Sequence, residues 1–406
     1  MLMPKFTAWG RSLVAAAAVV VLAAPLALAA DQAALNRLVA DAGKTGTQRL
    51  IIWQNGKPVL DKRWSGNNEA LQPIMHITAP ISALAISCLL ADGRIEDLED
   101  SATAYFPEWK NTPKAAINVA HIQWGRTGLS DGGAVIGAIY SQPNMVTYLA
   151  SRPLEHEIGE HYDVDSAVLI GRVVQKAAGE PIDKYLQRRL FGPMGITQTR
   201  WRRDKAGNVD TATGLWLKPT DLAKIGELIR LDGRFNGKQH IPADYIQDAT
   251  LAAGAEDGKL TSDDPGLEVG DYWHIGQRFV LRPEDLKRLE QHGFPNARKL
   301  APLVNQAFAS RMAYVEAAVK LTSNETYRNM NEAERRFGGL GFSIAVGREY
   351  GVEASDFLGQ MLYINPTTKL VMVRTVPWNG APISRSYPQV AFDDVGDRTN
   401  RAFGGK

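Results

Sequence analysis

The spacing of hydrophobic and polar positions changes several times along the chain, and each change marks an element. Asp31 to Ala42 carries apolar residues at helical spacing. Gln48-Arg-Leu-Ile-Ile-Trp-Gln54 then meets Asn55-Gly56, followed by Lys57-Pro-Val-Leu-Asp-Lys-Arg-Trp64. Asn-Gly tolerates the positive φ angles of a tight turn, so these runs predict a β-hairpin. A second hairpin is predicted near the end: Gln360-Met-Leu-Tyr-Ile-Asn365, then Pro-Thr-Thr, then Lys369-Leu-Val-Met-Val-Arg-Thr375. Between the hairpins an apolar helix runs from Pro80 to Asp92. Pro80 suits its first turn, where a missing N–H costs nothing, and Gly93 suits its stop. Strands at both ends with helices between predict a sheet closed by the two termini. Ala252 to Gly270 is rich in Gly and Asp and reads as a flexible loop. Pro283 to Arg336 reads as helical and charged, with a helix start at Pro283-Glu-Asp. Leu300, Leu303, Val304, Ala307, Met312, Val315 and Val319 mark an apolar face there, suited to its own domain or to a partner surface. No internal repeat is visible.

Residues 1–30 change the picture at the N-terminus. Lys5 and Arg11 precede an apolar run from Leu13 to Leu26, and Ala27-Leu28-Ala29 is a small-residue cleavage pattern. These features predict a cleavable signal peptide and a periplasmic or secreted protein. An uncleaved membrane anchor is the other reading, since the run is marginally long enough to span. The 46 basic and 44 acidic residues become 44 and 44 once Lys5 and Arg11 are removed. A balanced charge argues against nucleic acid as a partner. Cys88 is the only cysteine, which excludes an intramolecular disulfide, and its place in the apolar helix predicts a small core residue. About 375 residues remain after residue 30, more than an average domain.

The candidate chemistry lies at Pro73-Ile-Met-His-Ile-Thr-Ala-Pro80 and the helix behind it. The stretch Pro73 to Asp100 resembles the active-site segment of the serine β-lactamase and penicillin-binding-protein superfamily, in its class C and esterase-like branch. That pattern is S-x-x-K, an apolar helix, then D/E-G-x-I/L and an acidic patch. Here His76 holds the Ser position and Ala79 the Lys position. The spacing matters because residues i and i+3 share a helix face, so the lysine amine lies beside the serine oxygen. A serine hydroxyl needs such a base to attack, and Ala79 can accept no proton. Losing a nucleophile costs on the order of 10⁶ in rate in a well-studied hydrolase. His76 itself could be a base, a nucleophile or a polar residue lining a disused pocket, and nothing near it in sequence orients it.

Three further stretches carry the resemblance. Asp100 to Trp109 resembles the family's D-P-V-x-x-Y-L-P-E-W, and Ala120 to Leu129 resembles its R-H-L-L-T-H-T-S-G-L. Thr213 to Pro242 resembles its later helix, turn and loop. The resemblance covers about residues 35–250 and 338–390. It implies an α/β (α+β) fold of β-lactamase type: an antiparallel sheet flanked by helices with an inserted helical region. On that frame residues 31–406 form one β-lactamase-related domain, with a helical insertion at 283–336.

The resemblance also points to two other motif positions. The Tyr motif, Y-x-N or Y-S-S, falls in Gly159 to Gly171. Counting back from Gly171 places Tyr162, Asp163 and Val164 in it, and counting forward from Gly159 places Val164, Asp165 and Ser166. Both registers stay open. The K-T-G or H-x-G motif, which supplies a cation and a backbone donor for the oxyanion, falls in Val352 to Gln360. No Lys or His stands there, and Asp356 occupies a usual Gly position. An acid there disfavours an anionic transition state. His76, Tyr162, Asp163, Arg126, Ser355 and Asp356 are the candidate binding residues, with no confident catalytic residue. Ser355 and Ser166 are substitute nucleophile candidates without a lysine one turn away. His156 and His161 are five apart, not at the i, i+4 spacing of a zinc pair, so no metal and no cofactor are expected.

The expected function is a secreted serine-hydrolase homologue that has lost catalysis, a pseudoenzyme. It would bind a small molecule, a peptidoglycan fragment or a protein in the periplasm, with a homodimer through 283–336 as one option. The first alternative is an active hydrolase (esterase, amidase or peptidase) with a non-standard nucleophile. The second is a cell-wall binding protein without turnover.

Overall fold

The two hairpins meet in one sheet. In the computed structural model, strand Arg49–Gln54 pairs antiparallel with Lys57–Arg63 on one side and with Leu370–Thr375 on the other. Leu370–Thr375 pairs in turn with Met361–Asn365, then Val352–Ser355, then the two-residue strand His274–Ile275. Asn55 and Gly56 turn the first hairpin at φ 53° and 74°, which explains why the sequence uses Asn-Gly there. The structure describes residues 31–65, 70–129, 138–251, 255–256, 259–260, 270–308, 311–323, 343–356, 358–377 and 395–405. The expected signal segment lies outside these residues, as do 324–336 of the expected insertion.

Alternation along the strands divides the core in two. Leu50, Ile52, Met361, Tyr363, Leu370 and Met372 face the helices Gln32–Lys44 and Val395–Ala402. Ile51, Leu362, Ile364, Val371 and Val373 face the larger core on the opposite side. Helix Pro219–Arg230 packs on that second face. It crosses so closely that a Cβ at Gly226 would meet Val371 Cγ1 at 2.5 Å. The N-terminal helix begins at Asp31, whose carboxylate accepts from the Ala33 and Ala34 N–H groups at 3.0 Å.

Helix Thr78–Ala91 runs through the larger core. Every residue from Thr78 to Leu89 is buried, as suits a helix that is apolar all round apart from the small hydroxyls of Thr78, Ser82 and Ser87. Helices Ile170–Ala178 and Ile182–Leu186 pack against it. Cys88 is fully buried, and burial pushes its thiol up to about 12. The helix ends at Asp92 and Gly93, the latter at φ 64°.

Two readings of the later chain are corrected. Within the expected loop 252–270, the described residues include strands Ala255–Glu256 and Lys259–Leu260. They join Gln277–Val280, Ser343–Val346 and Ala307–Phe308 in a second, five-stranded sheet. Ala307 therefore lies in a strand and is exposed, not on an apolar helix face. The segment from 283 is otherwise helical, with Pro283–Gln291 starting at its proline, a 3₁₀ turn Ala297–Leu303, and Arg311–Thr322. Leu289, Leu300, Leu303, Tyr314, Val315 and Val319 are buried in the larger core, and Val304 packs against it. The stripe is thus used within the chain.

Candidate functional site

His76 sits in a 3₁₀ turn, Met75–Ile77, immediately before the buried helix. The turn is held from two sides. Gln72–Pro73 pairs with strand Leu215–Leu217, and Thr78 Oγ1 accepts from the Leu215 N–H at 3.2 Å. Met75 has φ 53°, a left-handed conformation that is strained for a side chain of this size. Ala79, one turn on, is fully buried.

Asp356 supplies what the local sequence could not, an orienting partner for His76. It follows strand Val352–Ser355, and its side chain is fully buried against the imidazole. Asp356 Oδ2 pairs with His76 Nδ1 and also accepts from the His76 backbone N–H at 3.4 Å. The other oxygen accepts from the Leu358 N–H at 2.8 Å. On the far side of the ring, the Tyr140 hydroxyl lies 3.5 Å from His76 Nε2. Tyr140 donates its own proton to Asp165. Arg202 lies 5.4 Å from the Tyr140 ring and pairs with buried Asp210.

The charges set the protonation of this row. Burial pulls the His76 pKa down, but the hydrogen bond and charge of Asp356, with Asp165 and Asp210 behind it, outweigh burial and hold it above its ordinary value. An imidazolium fits both contacts: Nδ1–H donates to Asp356 and Nε2–H donates to the Tyr140 oxygen. Burial, then the charges of Asp165 and Asp210, push the Tyr140 hydroxyl well above its usual range, so it stays protonated.

The other candidates are placed as follows. Tyr162 is half-buried, with its ring 6.0 Å from Tyr272 and 6.5 Å from His274. Asp163 caps the following 3₁₀ turn by accepting from the Asp165 N–H at 2.9 Å. Arg126 is buried and donates to the Glu160 carbonyl at 2.7 Å. Ser355 lies 3.4 Å from Glu353 Oε1. Ser166 is buried, 2.9 Å from Thr127 Oγ1. His156 and His161 stack, their ring centres 3.9 Å apart. Among the described residues, no group of three or more His, Cys, Asp or Glu is placed to hold a metal.

The sequence reading placed both ends of the His76–Asp356 pair in one cleft, together with Tyr162, Asp163 and Arg126, but did not pair them. It missed Tyr140, Arg202 and Asp210, which carry no local motif. Asp165 was within reach, since it stands in one of the two registers of the Tyr motif.

The candidate site is thus a turn at the mouth of a buried helix, an antiparallel strand facing it and a polar row between them. The family model described as Beta-lactamase matches residues 34–386, and the chain belongs to that family. The "Putative D-alanyl-D-alanine carboxypeptidase" of Escherichia coli O157:H7 is 26% identical over 192 residues, covering 39% of this chain and 44% of that protein. The N-acetylmuramyl-L-alanine amidase of Bacillus subtilis (strain 168) is 28% identical over 130 residues, covering 28% and 29%. The chain therefore spans less than half the length of these curated relatives. The class C beta lactamase from Rhodobacter sphaeroides has the same fold, with a TM-score of 0.53 at 11% identity over 92% of this chain and 98% of that one.

Proposed function

We propose that this chain is a Beta-lactamase-family protein whose cleft binds a ligand without forming an acyl-enzyme, in the periplasm or outside the cell. The observation that carries this reading is the position of the Asp356 carboxylate. It sits on the backbone N–H and the side chain of residue 76, where acyl transfer needs a nucleophile and a donor for the developing oxyanion. An incoming carbonyl would have to displace it and then build negative charge beside it. Losing one oxyanion donor costs ~10²–10³ in rate. Losing the nucleophile costs ~10⁶, so the change at residue 76 dominates. An imidazolium has no lone pair for attack. Peptidoglycan fragments are the first ligand class to test, because the names of two relatives concern cell-wall peptides and amides.

The test is labelling of purified protein with a fluorescent penicillin and a fluorophosphonate, followed by mass spectrometry. We expect no adduct with either, and a raised melting temperature with a soluble muropeptide. A stable adduct of probe mass on any residue would overturn the proposal.

A second reading is favoured by the Asp356–His76 geometry itself. Once deprotonated, His76 would be a neutral imidazole held at Nδ1 by a carboxylate, with Nε2 beside the Tyr140 hydroxyl, the arrangement of a general base. This reading supports a hydrolase that activates water or another nucleophile on esters, amides or short peptides. It requires p-nitrophenyl ester turnover that rises with pH and disappears in His76→Gln.

A further inference from the structure

A separate cavity opens at the other end of the central helix. Its volume is about 590 Å³, within the range of small-molecule sites. Ser87 and Leu90 line it from the helix, and Ser87 lies ~16 Å along the axis from His76 at 1.5 Å per residue. The chemistry of the walls is one-sided. Among the described residues, four carboxylic acids line the cavity, Glu96, Asp97, Asp248 and Asp271, and no Lys, Arg or His does. Trp124 and Tyr245 add aromatic surface beside Leu90 and Leu98.

The deepest polar groups are not satisfied among themselves. Gln123 is 4% exposed and Asp271 is 2% exposed. Gln123 Nε2 donates to the Asp271 carboxylate, while Gln123 Oε1 has no hydrogen-bond partner. Burial pushes the Asp271 carboxyl up to about 7. The pair is held in place, because Tyr272 donates its hydroxyl to the Ile122 carbonyl at 2.7 Å. A buried acceptor and a buried acid therefore stand together where only donors and positive charge would complete them.

We propose that this cavity binds an organic cation, a protonated amine carried on an aromatic or aliphatic body. The ammonium supplies several N–H donors and a positive charge, which match Gln123 Oε1 and Asp271. The exposed acids, Glu96, Asp97 and Asp248, draw a cation toward the mouth. The faces of Trp124 and Tyr245 favour a cation over a neutral body of the same shape. A carboxylate ligand meets only like charge. This site shares none of its lining residues with the His76 row, so it stands or falls apart from the function proposed above.

Isothermal titration of the full chain with tryptamine and with indole-3-propionate near neutral pH tests the proposal. The two probes have similar bodies and opposite charge. Tryptamine should bind saturably at one site, at least about tenfold more tightly than indole-3-propionate, and more weakly as salt is raised. Asp248→Asn, at an exposed position, should weaken tryptamine several-fold without changing the melting temperature. Asp271→Asn should weaken it further. His76→Gln should leave the affinity unchanged. The proposal is wrong if tryptamine shows no saturable binding at millimolar concentration, if both probes bind equally, if Asp248→Asn has no effect, or if His76→Gln abolishes binding.

Discussion

His76 and Asp356 lie 280 residues apart, and each makes the other affordable to bury. Asp356 is fully enclosed and the His76 side chain is 16% exposed, so removing the imidazole leaves the carboxylate with backbone donors but no paired charge. His76→Ala should therefore destabilise the fold by roughly 3 kcal/mol, the scale for breaking a buried pair. Asp356→Asn should cost less, because an amide can still bond the ring. In a double-mutant cycle the two should couple by ~1–3 kcal/mol, measured by urea unfolding. Simple additivity would show that the contact contributes nothing. A pH dependence follows from the same pair. The folded-state pKa of His76 is raised, so its contribution is fully present below the unfolded value of about 6.5 and is lost as pH rises through the folded pKa. Melting temperature should fall with rising pH over that window, and His76→Gln should flatten the fall. A flat parent profile would contradict the assignment.

At the scale of elements, the packing of the central helix decides whether a serine–lysine pair can be built at positions 76 and 79. Ala79 is packed on all sides, so a lysine there must force three further methylenes and an ammonium into filled space. His76→Ser with Ala79→Lys should lose at least 1–3 kcal/mol in urea melts. It should give no penicillin adduct, because Asp356 would still sit on the residue 76 N–H. Labelling of the double variant would show that the carboxylate yields to substrate. The strand leading to Asp356 and the turn carrying His76 are thus one device, built from two elements that meet only in the fold.

For the molecule as a whole, the first and last described helices close the structure together. The Asp31 N–H donates to the Ala402 carbonyl at 2.7 Å, and the two terminal helices cover one face of the main sheet. On the other side, the described part of residues 283–323 belongs to the larger core. Leu300→Ala should accordingly cost ~2–5 kcal/mol by cavity formation. Light scattering should find the oligomeric state unchanged. A variant of parental stability would mean that Leu300 sits at a surface that another molecule covers.

Several features were determined by local sequence. Asn55-Gly56 placed one hairpin, the strand–turn–strand run from Gln360 to Thr375 placed the other, and the apolar run to Asp92 placed the buried helix, because period and turn chemistry act over a few residues. The residues at positions 76 and 79 were equally readable, since a fixed i, i+3 spacing identifies both. Tertiary structure alone decided what surrounds them. Tyr140, Asp165, Arg202, Asp210 and Asp356 come from separate segments, and no spacing rule joins them to His76. The same holds for Gln123 and Asp271, 148 residues apart. Local sequence selects each element, but burial of charge is settled only when distant elements close around it, and both polar sites here are made that way.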